Sequence, residues 1–314
     1  MNNWGASGIP FLFVFDFEGE KPLLYPLDKV PSHIQFSLPM MEGEKNAPNS
    51  LTKEVKFQQH PITEAEYGKA YERVQYHLHR GDTYLLNLTM PTPIDLNLTL
   101  KEVFESSKAP YRLLIEGELV CFSPEIFVRI KDGVISSYPM KGTIDADLPN
   151  AAEQLLNDKK ETAEHNTIVD LIRNDLSMVA KKVRVTRYRY LDEICTNTGR
   201  LLQLSSEISG RLPDDYTSQI GDVIARLLPA GSISGAPKEK TLEVIREAEK
   251  GSRGYYTGIF GVFDGKNVDS AVMIRYIEKQ NGQLTYRSGG GITAQSNCTS
   301  EYNELIRKVY VPIT

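Results

Sequence analysis

A chain of 314 residues, 40% hydrophobic and 25% charged, has the composition of a globular protein able to bury a sizeable core as one domain or two. Its formal net charge of −5, with no basic block or stripe, argues against a nucleic-acid partner. The three cysteines (Cys121, Cys195, Cys298) are far apart and form no C-x-x-C pair, which argues against a disulfide framework or a zinc site and suits a cytoplasmic location.

The N-terminal "IPFLFVF" is too short to span a membrane and lacks a preceding basic region, and Asp16 and Glu18 follow it at once. It predicts an early strand and turn, with no membrane partner. A second strand is expected at "LLYPL", and a loop or hairpin over "SLPMMEGEKNAPNS". From Thr63 the signals sharpen. "TEAE" is a capping box that opens a helix, and Gly81 closes it. A strand at "TYLLNLTM" and a short helix near "LKEVFESS" follow. Then "YRLLIEGELVCF", "EIFVRIKDG" and "VISSYPM" predict antiparallel hairpins with turns at Glu116-Gly117 and Asp132-Gly133. Lys141 comes just after the last strand, at a Met-Pro corner.

A long helix is predicted over roughly Asp158 to Ala180. Beyond it, "KVRVTRYRYLDEIC" and "GRLLQLSSEISGRL" alternate polar with apolar residues, as half-buried antiparallel strands do. Helices are expected at "TSQIGDVIARLL", "KEKTLEVIREAEK" and "SEYNELIRKVY", and strands at "YYTGIFGVFDG", "NVDSAVMIRYIEK" and "QLTYRSGGGIT". Two groups of strands with helices between them predict a layered α+β fold with large antiparallel sheets.

Two helices repeat one device. Glu161 and Glu164, and likewise Glu301 and Glu304, are three residues apart and so share a helix face. Mg²⁺ takes carboxylate oxygens and would turn the mutual repulsion into ligation. Two solvated helix faces, with Lys159, Lys160 and Arg307 as partners, explain the same spacing. In "LLPAGSISGAPKEK", Gly231, Gly235 and Pro237 precede a helix whose N-terminus suits an anion, although no Walker A pattern is present. The run Gly289, Gly290, Gly291 allows either close approach to a ligand or a bulge. Arg275 interrupts an apolar strand, facing inward toward a carboxylate or outward to solvent.

Taken in order, "SPEIF", "PMKGT", "KKETAEHNTIVDLIRNDL", "LLPAGSISGAPK", "YYTGIFG" and "SGGGI…SEYNELIRK" resemble the chorismate-utilising enzymes. This group includes anthranilate, isochorismate, salicylate and aminodeoxychorismate synthases. The resemblance covers residues 63–310 and implies one catalytic domain over 1–314, with 1–60 as a short N-terminal extension. It implies an α+β fold of two large antiparallel sheets packed face to face, with helices outside. Mg²⁺ would be held by Glu164 and Glu304, with Glu161 and Glu301 on the same faces. Arg275 and Tyr256 would take a substrate carboxylate, and the backbone of Gly142, Thr143 and Gly289–Gly291 would complete the cradle.

Two positions separate the branches of the group. Lys141 resembles the lysine of the aminodeoxychorismate synthases, where anthranilate synthases usually carry alanine. Leu85 stands where isochorismate and salicylate synthases resemble one another in a general-base lysine. The implied activity is therefore amination of chorismate to 4-amino-4-deoxychorismate, with Lys141 as covalent nucleophile and Glu125 as general acid. The ammonia would be free or come from a glutamine amidotransferase subunit. Anthranilate- or isochorismate-type chemistry on the same scaffold is the alternative. The chain departs from the family pattern at Gln203, where histidine is usual, and at Leu85, where amine-transferring members commonly have glutamine. Ser234 replaces a frequent threonine, and no match to a tryptophan-binding motif is found.

Overall fold

The capping box at Thr63 forms as the sequence predicts. In the computed structural model, which describes residues 1–41, 53–196 and 199–311, the Thr63 hydroxyl accepts from the Glu66 N–H at 3.2 Å. The Glu66 carboxylate accepts from the Thr63 N–H at 3.0 Å in return. The helix Glu64–Arg80 ends at Gly81, whose φ of 78° is the left-handed conformation that glycine takes most readily. A second box, Thr99 with Glu102, opens the helix Leu100–Ser106. Of the loop expected over 37–50, residues 42–50 lie outside the described residues.

Among the described residues the strands assemble into two large antiparallel sheets, of nine and eight strands, so the α+β class holds. The chain divides into two compact units, one of residues 1–10, 126–232 and 263–269, the other of 11–125, 233–262 and 270–314.

In the first unit, Ile126–Lys131 and Val134–Ser137 form the predicted hairpin. Asp132 and Gly133 both have positive φ (50° and 77°), which matches the right-handed twist of the flanking strands. One expectation is corrected here. Lys141 does not trail the "VISSY" strand but belongs to a separate strand, Met140–Asp145. Proline has no N–H for a ladder, so the strand is interrupted at Tyr138 and Pro139 and resumes at Met140. Val134–Ser137 and Met140–Asp145 pair in one register along the same edge of Gly199–Arg211, with Ser137 opposite Ile208 and Met140 opposite Ser205, and Lys181–Thr196 pairs along its other edge. The long helix runs over Lys159–Ser177, with the Asp158 side chain accepting from the Glu161 N–H at its start. It buries Ile168, Val169, Leu171, Ile172 and Leu176. A short helix, Ala151–Asn157, precedes it; seven residues are too few to show a helical period in sequence.

The second unit contains the whole eight-stranded sheet. One of its strands, Leu85–Leu96, runs past the predicted "TYLLNLTM" through Pro91 and Pro93. Gln283–Ile292 pairs along one side of this strand, and on the other side, among the described residues, only its two ends are paired. The prolines therefore fall on a stretch where a missing N–H breaks no ladder. The helix Glu64–Arg80 packs Tyr67, Tyr71, Val74 and Leu78 against Leu86, Leu88, Ile292 and Leu305, forming one core of this unit.

Candidate active site

The first unit brings Lys141, Gly142, Glu161 and Glu164 together. A register shift between Met140 and Thr143 makes a bulge, and Gly142 adopts the φ of 78° that the bulge requires. A Cβ at Gly142 would lie 3.2 Å from a carboxylate oxygen of Glu161. The bare backbone thus lets the glutamate helix approach the strand. Lys141 Nζ lies 2.7 Å from Glu164 Oε2, which is itself buried. The backbone of Thr143 stands opposite Gln203, the residue found in place of the usual histidine, and Gln203 is buried.

Sequence reasoning overlooked His165. Its side chain is fully buried, with Nε2 at 2.7 Å from Ser206 Oγ and Nδ1 without a hydrogen-bond partner among the described residues. Burial pushes its pKa down to about 4, and the charges of Arg189 and Lys141 add to the shift. The imidazole is neutral at pH 7. The "EH" pair inside the long motif marked the position but not the contact.

The second unit joins the remaining candidates. Gly289, Gly290 and Gly291 continue the ladder, opposite Thr89, Leu88 and Asn87. Because alternate residues of an antiparallel strand point their N–H groups to one neighbour, part of this N–H set is engaged in pairing. A Cβ at Gly290 would lie 3.4 Å from a Glu301 oxygen and 3.6 Å from a Glu304 oxygen, so the second glutamate helix, Cys298–Arg307, closes on the glycines. Lys308, also overlooked, ion-pairs with Glu304 at 2.7 Å and donates to the Gly289 carbonyl at 2.8 Å. Its i,i+4 spacing from Glu304 was the available signal.

Arg275 requires a correction. It does not interrupt a strand but sits at a bend between Val268–Val272 and Tyr276–Gln280, with φ 54°. Its Nη1 donates to the Lys308 carbonyl at 3.2 Å, and its guanidinium lies 5.1 Å from the centre of the Tyr310 ring. Its Nε is buried and has no hydrogen-bond partner among the described residues. A buried donor left so is costly, and a carboxylate would satisfy it. Tyr256 is buried with its ring 5.8 Å from that of Tyr276, and burial raises its hydroxyl pKa. Glu125 lies in the connection after Leu119–Ser123; its N–H donates to Ser123 Oγ, and its carbonyl accepts from the Val272 N–H.

Gly235 has a structural explanation. A Cβ there would stand 1.9 Å from the Leu85 carbonyl oxygen, so the close strand pairing of Gly235–Ala236 demands glycine whether or not an anion binds nearby. Leu85 itself is buried.

As a Mg²⁺ site the residues fit in donor chemistry. Each glutamate helix offers two carboxylates, the hard oxygen donors that Mg²⁺ takes. Glu164 and Glu301 are buried, which a carboxylate tolerates only when paired or bound to a cation. Among the described residues no group of three or more His, Cys, Asp and Glu comes together as a metal cage. No helix of the described residues is long and apolar enough to cross a membrane.

The chorismate binding enzyme family matches residues 24–314, and the chain belongs to it. An uncharacterized PabA-like protein of Haemophilus influenzae is 51% identical over 99% of this chain and 95% of its own length. Aminodeoxychorismate synthase component 1 of Bacillus subtilis is 32% identical over 80% of this chain, which spans only 55% of that relative. Among solved structures, anthranilate synthase component I from Streptococcus pneumoniae superposes with a TM-score of 0.68 at 26% identity, covering 83% of this chain and 60% of its own. The menaquinone-specific isochorismate synthase of Escherichia coli, at 15% identity and TM-score 0.71 over 96% of this chain and 77% of its own, shares the fold.

Proposed function

We propose that the chain aminates chorismate to 4-amino-4-deoxychorismate, in the 4-aminobenzoate (folate) route, through a covalent adduct on Lys141. The observation that carries this reading is the placement of Lys141 beside a strand bulge, 2.7 Å from Glu164. Support comes also from buried Leu85, which has no proton to exchange where isochorismate-forming relatives are expected to carry a base.

The chemistry follows from the side chains. An ammonium has no lone pair, so Lys141 first passes a proton to an acceptor, and Glu164 is within reach. The amine then forms a bond to ring carbon 2, the two ring double bonds each move one place, and the hydroxyl on carbon 4 leaves as water with a proton from Glu125. Ammonia attacks carbon 4, the double bonds return, and Lys141 departs as an amine. Chorismate and ammonia thus become 4-amino-4-deoxychorismate and water. Arg275 holds a substrate carboxylate, with its partnerless Nε as the supporting observation, and Tyr256 assists. The backbone of Gly142, Thr143 and Gly289–Gly291 supports the ring. The carboxylates of Glu161, Glu164, Glu301 and Glu304 would hold Mg²⁺, which when bound neutralises the ring carboxylate. The ammonia is free or delivered by a glutamine amidotransferase subunit, and the setting is cytoplasmic.

Product analysis tests the reading. The purified chain is given chorismate, ammonium and Mg²⁺, and products are separated by chromatography, with and without a glutaminase subunit. The expected product is 4-amino-4-deoxychorismate; anthranilate or isochorismate instead would overturn the assignment. An anthranilate synthase component 1 of Mycolicibacterium smegmatis is 33% identical over 79% of this chain, and aminodeoxychorismate synthase component 1 of Salmonella typhimurium is 34% identical over the same 79%, so product analysis is the decisive measurement.

A further inference from the structure

Four contacts in the first unit close a ring around Lys141. The Ser206 N–H donates to the carbonyl of Pro139, at the corner that launches the lysine strand, at 3.0 Å. Its neighbour Ser205 stands opposite Met140 in the ladder. Ser206 Oγ lies 2.7 Å from Nε2 of His165, which follows Glu164 on the long helix. Glu164 then meets Lys141 at 2.7 Å. From the other neighbouring strand, Arg189 gives its N–H to the same Ser206 Oγ at 2.9 Å. Arg189 sits at a bulge with φ 47°, and its Nη2 holds the Leu156 carbonyl at 2.7 Å. Ser206 and His165 are both fully buried, so neither contact competes with water.

From this ring we infer that the His165–Ser206 hydrogen bond is a positioning pair that sets the Lys141–Glu164 contact. A helix can slide or rotate over a sheet by small amounts when only apolar side chains lie between them, because such contacts are non-directional. A buried, directional bond from the residue next to Glu164 removes that freedom. It fixes the carboxylate against the strand through the same serine whose backbone fixes the corner before Lys141. Neither residue touches the reacting atoms. Their effect passes through the distance between lysine and carboxylate. Its consequence for turnover rests on the proposed role of Lys141, whereas the geometric claim does not.

The test pairs two readouts. Reactivity of Lys141 toward an amine-directed acylating probe is followed by peptide mass mapping as a function of pH, without substrate. Steady-state kinetics of chorismate amination are measured alongside. The variants are Ser206→Ala, His165→Leu, His165→Gln and His165→Asn; the amide of glutamine reaches the place of Nε2, that of asparagine the place of Nδ1. Ser206→Ala and His165→Leu are expected to change the pH profile of Lys141 labelling. They should also lower kcat about 10–100-fold with KM little altered, as displacement of a supporting hydrogen bond does. His165→Gln should restore most of both readouts and His165→Asn should not. Folding of each variant is checked by its thermal transition, and Ser206→Ala, which removes one atom, serves if the histidine variants fail to fold. Unchanged Lys141 labelling in folded Ser206→Ala overturns the inference, whatever the kinetics. A changed labelling profile in a chain that proves to make another product sustains it and refutes only the proposed chemistry.

Discussion

Lys141 Nζ and Glu164 Oε2 stand 2.7 Å apart, joining a strand bulge to the first glutamate helix. Lys308 and Glu304 repeat the relationship at 2.7 Å on the second. In each unit an expected Mg²⁺ ligand is held by an ammonium group.

Glu164→Ala and Glu304→Ala should each abolish most chorismate turnover and weaken Mg²⁺ binding, measured by titration calorimetry. Loss of a carboxylate ligand removes a charge-assisted contact on the order of 1.5–3 kcal/mol or more, at least about tenfold in affinity. A variant with normal Mg²⁺ affinity and turnover would remove that glutamate from the metal set.

Lys141→Ala should lose the adduct that intact-mass spectrometry is expected to find on the wild type when chorismate is supplied and ammonia withheld. Its remaining activity, if it drifts toward direct amination, should appear as anthranilate-type product. Full 4-amino-4-deoxychorismate synthesis by this variant would show that the lysine is dispensable.

Arg275→Ala should raise KM for chorismate and lower kcat/KM by roughly 10–100-fold, the effect of losing a charge-assisted contact of about 1.5–3 kcal/mol. Arg275→Lys should recover little, because an ammonium cannot reproduce the planar fork. Unaltered kinetics in Arg275→Ala would place the substrate carboxylate elsewhere.

His165 carries a pH prediction. Its folded pKa, about 4, lies below the ordinary value of 6.5, so the unfolded chain binds the extra proton first as pH falls. The stability this neutral imidazole contributes is complete above about pH 6.5 and is lost as pH falls through the folded value near 4. Thermal melting across that window should fall more steeply for the wild type than for His165→Gln, which has no titrating group there. Parallel curves would contradict the depressed pKa.

Thr63→Ala should destabilise the second unit by about 0.5–2 kcal/mol through loss of the reciprocal cap, with the denaturant midpoint as readout. Thr63→Ser should restore most of it, since the hydroxyl that accepts the Glu66 N–H returns.

What the sequence by itself determined is what short-range chemistry controls. Thr63 with Glu66, Asp132-Gly133 at a hairpin turn, the alternation over the strands Lys181–Thr196 and Gly199–Arg211, and the two i,i+3 glutamate pairs each depend on residues within a few positions. Local φ preferences and helix or strand periodicity dictate them before the chain is folded. The long family motifs added the fold class and the candidate residues. The tertiary structure decided the rest. The bulge at Gly142 is made by pairing with a strand that begins at Gly199, and it turns Lys141 toward Glu164. Arg275 leaves the apolar strand for a bend because its carbonyl accepts from Phe122 and its Nη1 reaches Lys308. Gly235 is glycine because the Leu85 carbonyl passes beside it. The bond from His165 to Ser206 spans 41 positions of chain. Such contacts depend on how strands bulge and how a helix settles on a sheet, and these are set by packing across the whole unit, which no window of sequence contains.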